Sequence, residues 1–336
     1  MVYSTRMASR HTSHLTRGYT AGLAAAAVLS TTAIFIRHLT QTYGVPALVL
    51  AFWRDLFVVL TLGVFVLVRA ALRRSASGQT ESLLHIPRRQ LPFLVIYGLV
   101  LAGFNAMWTF SVALNGAAVA TVLAYCSAAF TALLAWWLFK ERPTGIMFVA
   151  IALSLTGCAL VADVLAPTAW RTNPLGILTG ILAGLGYAGY SLMGNAASRR
   201  GLGPWSSLFY TFAFAGLFLL IGIAAPDPVR ILSRHSDLFW LRNELLGWGI
   251  LLLLAAGPTV AGFGLYNVSL AHLPSSVANL IVTLEPAFTA VIAYFFLGER
   301  LSATQGLGSL LILSAVVLLR VDERRARPLS QPAAAI

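Results

Sequence analysis

Charge is scarce in this chain. Asp, Glu, Lys and Arg make up 10% of its 336 residues, against about 25% in soluble globular proteins. Water cannot solvate so apolar a surface, which excludes a soluble domain and puts most of the chain in lipid. Acidic residues are rarer than basic ones, 11 against 23, and Lys140 is the single lysine. In a soluble protein the net charge of +12 would suggest nucleic acid. Here the basic residues cluster between apolar runs, as topology signals do, so no nucleic-acid partner is expected. Cysteine is limited to Cys126 and Cys158, both inside apolar runs. They read as small packing residues, not as a disulfide or a metal pair. His85, His235 and His272 fall in loops or at the ends of runs with no ligand spacing. No phosphate loop, HExxH helix or nucleophile elbow is present. The expectation is a protein that is not an enzyme and holds no cofactor or metal.

What the chain has in abundance is long apolar sequence, 58% of residues being hydrophobic. After a polar, basic start come ten apolar stretches, near 19–36, 46–68, 91–113, 117–139, 146–165, 175–196, 204–224, 246–271, 275–297 and 303–320. A helix needs about 20 residues to cross the hydrocarbon core, and backbone groups in lipid must bond internally. The fold expected is therefore an all-α membrane protein of ten transmembrane helices. The first run is longer than a signal-peptide core and has no small-residue cleavage site before Arg37, so it reads as a retained span. With the N-terminus in the cytoplasm, sixteen basic residues fall on the inner side and six on the outer. That excess predicts both termini inside.

Shifted by 158 residues, the sequence matches itself. Gly18 falls on Gly176, Gly22 on Gly180, Pro46 on Pro204 and Ser111 on Ser269. Ala129-Phe130-Thr131-Ala132 falls on Ala287-Phe288-Thr289-Ala290, and Glu141-Arg142 on Glu299-Arg300. Two five-span units follow, 19–165 and 175–321, flanked by cytoplasmic tails at 1–18 and 322–336. Five is odd, so the second unit enters the membrane from the other side. Inverted repeats of this kind build secondary transporters with a site near the midplane.

The paired ends of spans four and nine resemble the EamA-type ten-span transporters of the drug/metabolite transporter superfamily. They read Ala129-Phe130-Thr131-Ala132 to Phe139-Lys140-Glu141-Arg142, and Glu285-Pro286-Ala287-Phe288 to Gly298-Glu299-Arg300. Phe52-Trp53-Arg54 is similar to the family's second span, and the similarity covers roughly 19–321. It implies a central cavity from spans 1–4 and 6–9, with spans 5 and 10 peripheral, and export of amino acids and other small metabolites. Span four carries Ser127-Ala128 where span nine has Glu285-Pro286 and the family often has proline in both, which leaves a kink in span four open.

Polar residues inside lipid are costly and mark candidate function. Glu285, halfway along span nine, suits proton coupling; its other reading is a bond to a backbone freed by Pro286. Arg54 suits a substrate carboxylate or phosphate, or a pairing with Asp55, which reads as a structural counter-ion. Asn105, Trp108 and Thr109 share a face of span three; the shift carries them onto Phe263, Tyr266 and Asn267 on span eight. Tyr187 and Tyr190 share a face of span six with Ser191. Thr121 with Tyr125, and Asn279 with Thr283, coincide under the shift. All are expected to line a substrate cavity, the competing reading being bonds between helices. Gly176, Gly180 and Gly184 suggest close helix packing, and Trp136, Trp137, Trp170 and Trp205 interfacial anchors. The expected protein is a plasma-membrane exporter with a small-molecule substrate and the lipid bilayer as partners, protons as coupling ion, and room for a homodimer. The alternatives are a nucleotide-sugar or sugar-phosphate carrier, and a membrane enzyme or scaffold.

Overall fold

The computed structural model describes residues 2–74, 86–140, 144–161, 173–224, 238–297 and 302–325. Among them every regular element is helical. The first unit runs α1 (Val2–Leu29), α2 (Thr32–Thr42), α3 (Ala47–Arg74), α4 (Leu91–Tyr125), α5 (Ser127–Phe139) and α6 (Gly145–Val161). The second runs α7 (Pro174–Arg199), α8 (Pro204–Ala224), α9 (Leu245–Leu254), α10 (Val260–Leu270), α11 (Ser275–Val282), α12 (Glu285–Leu297) and α13 (Ala303–Arg325). A π-turn over Ala255–Thr259, with Pro258 inside it, joins α9 to α10. Proline withholds the backbone donor that a regular helix needs there.

Seven helical stretches are long and apolar enough to cross a bilayer: Leu15–Thr42, Ala47–Val68, Arg88–Val112, Ala120–Leu138, Pro174–Arg199, Pro204–Ala224 and Leu245–Leu270. Two further apolar helices, Gly145–Leu160 and Gly306–Leu318, are shorter. The span-nine region is split between α11 and α12 by a turn at Thr283 and Leu284. Not every expected run is thus an unbroken helix of 20 residues. Exposed side chains such as Leu67, Trp137, Leu246 and Phe295 dress the outside of the bundle; a lipid-facing wall has no need of charge.

The duplication is visible in the packing. A Cβ added to Gly22 would lie 3.0 Å from Ser269 Oγ and 3.1 Å from Ile281. One added to Gly180 would lie 2.7 Å from Ser111 Oγ and 2.6 Å from Leu123. Each neighbour of Gly180 is the corresponding neighbour of Gly22 moved by 158 residues. Only glycine allows helices this close. The same contacts settle the shape of α4. It is assigned as 35 continuous residues, yet Ser111 and Leu123 both meet Gly180. In a straight helix they would stand about 18 Å apart along the axis. The chain therefore doubles back between them, as two helical arms.

Helix direction agrees with inversion. Gly18, Gly22 and Gly262 meet Leu273, Ser269 and Leu29, so α1 and α10 run antiparallel. Ser111 Oγ donates to the Gly176 carbonyl at 2.8 Å, Phe104 meets Gly186 and Tyr97 meets Gly194, so the first arm of α4 and α7 are antiparallel too. One relation is the other's image in the second unit.

Spans four and nine break at matching places. Cys126 N donates to Leu123 O and Phe130 N to Cys126 O; Leu284 N donates to Ile281 O and Phe288 N to Leu284 O. These are the same two bonds, 158 residues apart. Span four makes its turn with Ala128 in place of Pro286, so proline does not cause it. Pro286 sits in the first turn of α12, where a missing N–H is tolerated. Pro286→Ala is expected to change stability by less than about 1 kcal/mol and to leave transport intact. A thermal-unfolding shift beyond about 4 °C or loss of flux would show that the proline is needed.

Candidate functional site

A cavity opens where α1, α2, α3, the two arms of α4, α7, α10 and α12 meet. Matched residues of the two units line it together. Leu29 and Tyr187 both line it, as do Asn105 and Phe263, and each pair is related by the 158-residue shift. The cavity thus lies on the axis that relates the halves. Among the described residues neither α6 nor α13 contributes to its wall.

Its polar end is built on α3 and α4. Arg54 and Asp55 are 3% and 0% exposed, with Arg54 Nε 3.5 Å from Asp55 Oδ1. The Asn105 amide nitrogen donates to both carboxylate oxygens of Asp55, at 3.1 and 2.9 Å. That partner assigns the amide, since the reverse orientation would set a carbonyl oxygen against a carboxylate. Asn105 Oδ1 is therefore turned away from Asp55. It has no hydrogen-bond partner, and neither has Arg54 Nη2 nor Thr32 Oγ1. All three residues line the cavity. Buried polar atoms left unsatisfied in this way are expensive, and their clustering in one cavity points to a ligand or water there.

Glu285, the first residue of α12, lines the same cavity. The Tyr125 hydroxyl, at the break in span four, is within hydrogen-bonding reach of its carboxylate. Apolar surface completes the wall. Phe104 stacks on Tyr187 with ring centres 4.9 Å apart, Phe263 meets Phe212 and Tyr190 edge-on, and Trp108 borders the cavity.

Aromatic groups cap both ends. At one end Trp108 packs into a cluster with Ile36, Leu50, Trp53, Leu241 and Trp248. The segment after Leu238 is tied across it: Trp53 Nε1 donates to Leu238 O at 2.6 Å, Trp240 Nε1 to Tyr43 O at 2.9 Å, and Trp248 Nε1 to Arg242 O at 3.1 Å. At the other end Tyr97, Tyr190 and Tyr266 pack together, with Tyr190 5.0 and 6.3 Å from its two partners.

Of the residues singled out from sequence, Arg54, Asn105, Trp108, Thr121, Tyr125, Tyr187 and Glu285 come together at the cavity. The others lie in buried networks beside it. Tyr190 donates to Asn267 Oδ1 at 3.0 Å. Ser127 donates to Asn279 Oδ1, and Asn279 donates to Ser191, at 3.0 and 2.9 Å. Tyr266 is 2.7 Å from Ser191 Oγ; since that hydroxyl's proton goes to Tyr187 O, Tyr266 is the donor. Thr109 bonds back to Asn105 O and Ala106 O on its own helix. Thr283 bonds to Leu280 O and receives Ser154 from α6. These residues tie α4, α7, α10 and α11 into the frame around the cavity.

Phe263, expected on the span-eight face, lines the cavity too, and Leu29, Thr32, Phe104 and Ala124 line it without having been singled out for it. The register held a signal for two of these four: Leu29 corresponds to Tyr187 and Thr32 to Tyr190. Cys158 is free and donates weakly to Thr283 O at 3.8 Å, a packing role. Trp136 and Trp137 are exposed near the end of α5, and Trp205, also exposed, packs over Gly264. Trp170, His85 and His235 lie outside the described residues. Among the described residues no group of three His, Cys, Asp or Glu side chains is placed to hold a metal ion.

Residues 16–162 and 174–321 each match the model of the EamA-like transporter family. Among curated proteins, the chain is 26% identical over 243 residues to an uncharacterized transporter, YwfM, of Bacillus subtilis, covering 72% of this chain and 77% of that one. It is 28% identical over 254 residues to the threonine/homoserine exporter RhtA of Salmonella typhimurium, covering 72% and 75%. A crystal structure matches with a TM-score of 0.71 at 17% identity, covering 93% of this chain and 99% of that one, a likeness of fold.

Proposed function

The chain belongs to the EamA-like transporter family, and from that premise we propose that it is a secondary exporter of small organic metabolites, foremost neutral amino acids. The observation that carries this reading is the free guanidinium nitrogen of Arg54 in a cavity between the two units. A buried Arg with an unused donor suits a carboxylate. The aromatic and aliphatic wall opposite suits an uncharged side chain. The names of relatives such as the threonine/homoserine exporter support the same class. A phosphorylated or nucleotide-linked sugar would call for several cations, and Arg54 is the sole basic residue on the described wall. Convergent acid, base or metal groups, which an enzyme needs, are missing from it.

In this reading the chain crosses a plasma membrane ten times, with both termini in the cytoplasm as the basic loops favour. The second unit is inverted, and transport proceeds by alternating access. The two aromatic caps open in turn while the units rock about the shared cavity. Glu285 carries the coupling proton.

Efflux from proteoliposomes tests this, with a panel of amino acids, sugar phosphates and nucleotide sugars, with and without a proton gradient. Gradient-sensitive flux of neutral amino acids is expected. Flux of the phosphorylated solutes alone, or of none, would overturn it. In a chain whose native cysteines are replaced, single cysteines at positions 140 and 298 are expected to label from opposite faces of the membrane; labelling from one face would refute the inversion.

A further inference from the structure

The unsatisfied atoms of Arg54 (Nε and Nη2), Asn105 and Thr32 differ in kind. Arg54 Nη2 is a donor, Asn105 Oδ1 is an acceptor and Thr32 Oγ1 is either. Arg54, Asn105 and Thr32 are 3%, 1% and 8% exposed, so bulk water does not serve them. The donor and the acceptor are also neighbours, because both side chains hold the same carboxylate. Arg54 Nε is 3.5 Å from Asp55 Oδ1, and the Asn105 amide nitrogen is 3.1 and 2.9 Å from its two oxygens. Asp55 fixes which end of the Asn105 amide faces the cavity. It thereby sets a free acceptor beside a free cationic donor.

We infer that Asn105 is the residue that reads the substrate's ammonium group, with Asp55 as its positioning residue. This rests on the amino-acid reading above. A ligand complementary to the pair carries a carboxylate, for Arg54, and a protonated amine close beside it, for Asn105 Oδ1. An α-amino acid has the two on one carbon. An ω-amino acid of the same composition and charge holds its amine several carbons from its carboxylate, so with the carboxylate on Arg54 its amine lies beyond the neighbouring Asn105 Oδ1. A simple carboxylic acid satisfies Arg54 and leaves Asn105 Oδ1 bare. Asp55 is thus more than a counter-ion: with the carboxylate gone, the amide is free to turn and offer the cavity a donor, which repels an ammonium. Glu285 also lines the cavity, on a helix of the second unit; it is assigned the proton.

Calorimetric binding to the purified full-length protein separates these groups, with L-norleucine, 6-aminohexanoate and hexanoate as probes. All three share a six-carbon skeleton. Wild type is expected to bind norleucine roughly 10- to 150-fold more tightly than either of the others, the range for one charged hydrogen bond. Asn105→Leu, which is close to isosteric, is expected to collapse that ratio to within about threefold while leaving hexanoate affinity unchanged. Asp55→Asn is expected to collapse the same ratio, and serves if the leucine variant does not fold. Glu285→Gln is expected to keep the ratio. Equal wild-type binding of norleucine and hexanoate would overturn the inference alone and leave carboxylate recognition by Arg54 standing. So would a ratio that survives both Asn105→Leu and Asp55→Asn, or one lost in Glu285→Gln and retained in Asn105→Leu. Binding of none of the probes to folded wild type would overturn the amino-acid reading, and this inference with it.

Discussion

Replacing Arg54 with leucine is expected to abolish transport and to lower stability by several kcal/mol, and a second substitution separates the two effects. The stability loss comes from Asp55. Its carboxylate is fully buried and its countercharge is Arg54. Removing one partner of a buried ion pair typically costs about 3–5 kcal/mol, because the other charge is stranded. Asn105 still donates to Asp55, but an amide does not neutralise a charge. The double variant Arg54→Leu with Asp55→Asn removes both charges and keeps an acceptor for Asn105. It is expected to recover most of the lost thermal stability. Transport is a separate matter. The free donor that would meet the substrate carboxylate is absent from single and double variants alike, and one charged hydrogen bond is worth roughly 10- to 150-fold in binding. Unfolding midpoints in detergent and efflux rates in liposomes read the two quantities independently. Recovery of transport together with stability in the double variant would make Arg54 a structural ion-pair partner and nothing more.

Much of this architecture was legible in the sequence because duplication leaves a register. The shift of 158 residues that matches Gly22 with Gly180 also matches their neighbours Ser269 with Ser111 and Ile281 with Leu123. The turn at Cys126 was harder to read, because its expected cause, a proline, is absent. The copy at Leu284 was the better guide, since the two turns share their hydrogen bonds. The candidate site was legible in part. Arg54, Asn105 and Glu285 stand out because polar groups in lipid are rare. What did not stand out is which face of each helix looks inward. A helix such as α5 or α6 is apolar all round, because lipid and bundle interior are equally apolar, and no amphipathic stripe marks the cavity side. Hence Thr109, one residue from Trp108, bonds back to its own helix, and Tyr190, one turn from Tyr187, joins the frame. Thr32 escaped for another reason. A lone threonine in a helix usually satisfies its hydroxyl on a carbonyl one turn back, as Thr40 does on Ile36. Thr32 follows the break between α1 and α2, and its hydroxyl is left without a partner.

Glu285→Gln is expected to uncouple transport from the proton gradient while sparing exchange of substrate. Two carboxylates, Asp55 and Glu285, are placed by the cavity, and their surroundings differ. Asp55 already holds a guanidinium and an amide on its oxygens. Glu285 has the Tyr125 hydroxyl in reach and no cation among the residues that share its cavity wall except Arg54. It also begins α12 directly after the turn at Thr283 and Leu284, so movement at that turn carries the carboxylate with it. A carrier that moves one proton inward for each substrate moved outward gains about 1.36 kcal/mol per pH unit, which sustains roughly a tenfold concentration ratio. Wild-type vesicles with an imposed gradient of one unit are therefore expected to reach a substrate ratio near ten. Glutamine keeps the shape and still accepts from Tyr125, but it carries no proton. The variant is expected to stay near a ratio of one while counterflow exchange with the gradient collapsed stays within a few-fold of wild type. If the glutamine variant still concentrates substrate against its gradient, the proton travels by another group. If exchange is lost as well, Glu285 belongs to the binding set and the division of labour with Asn105 fails.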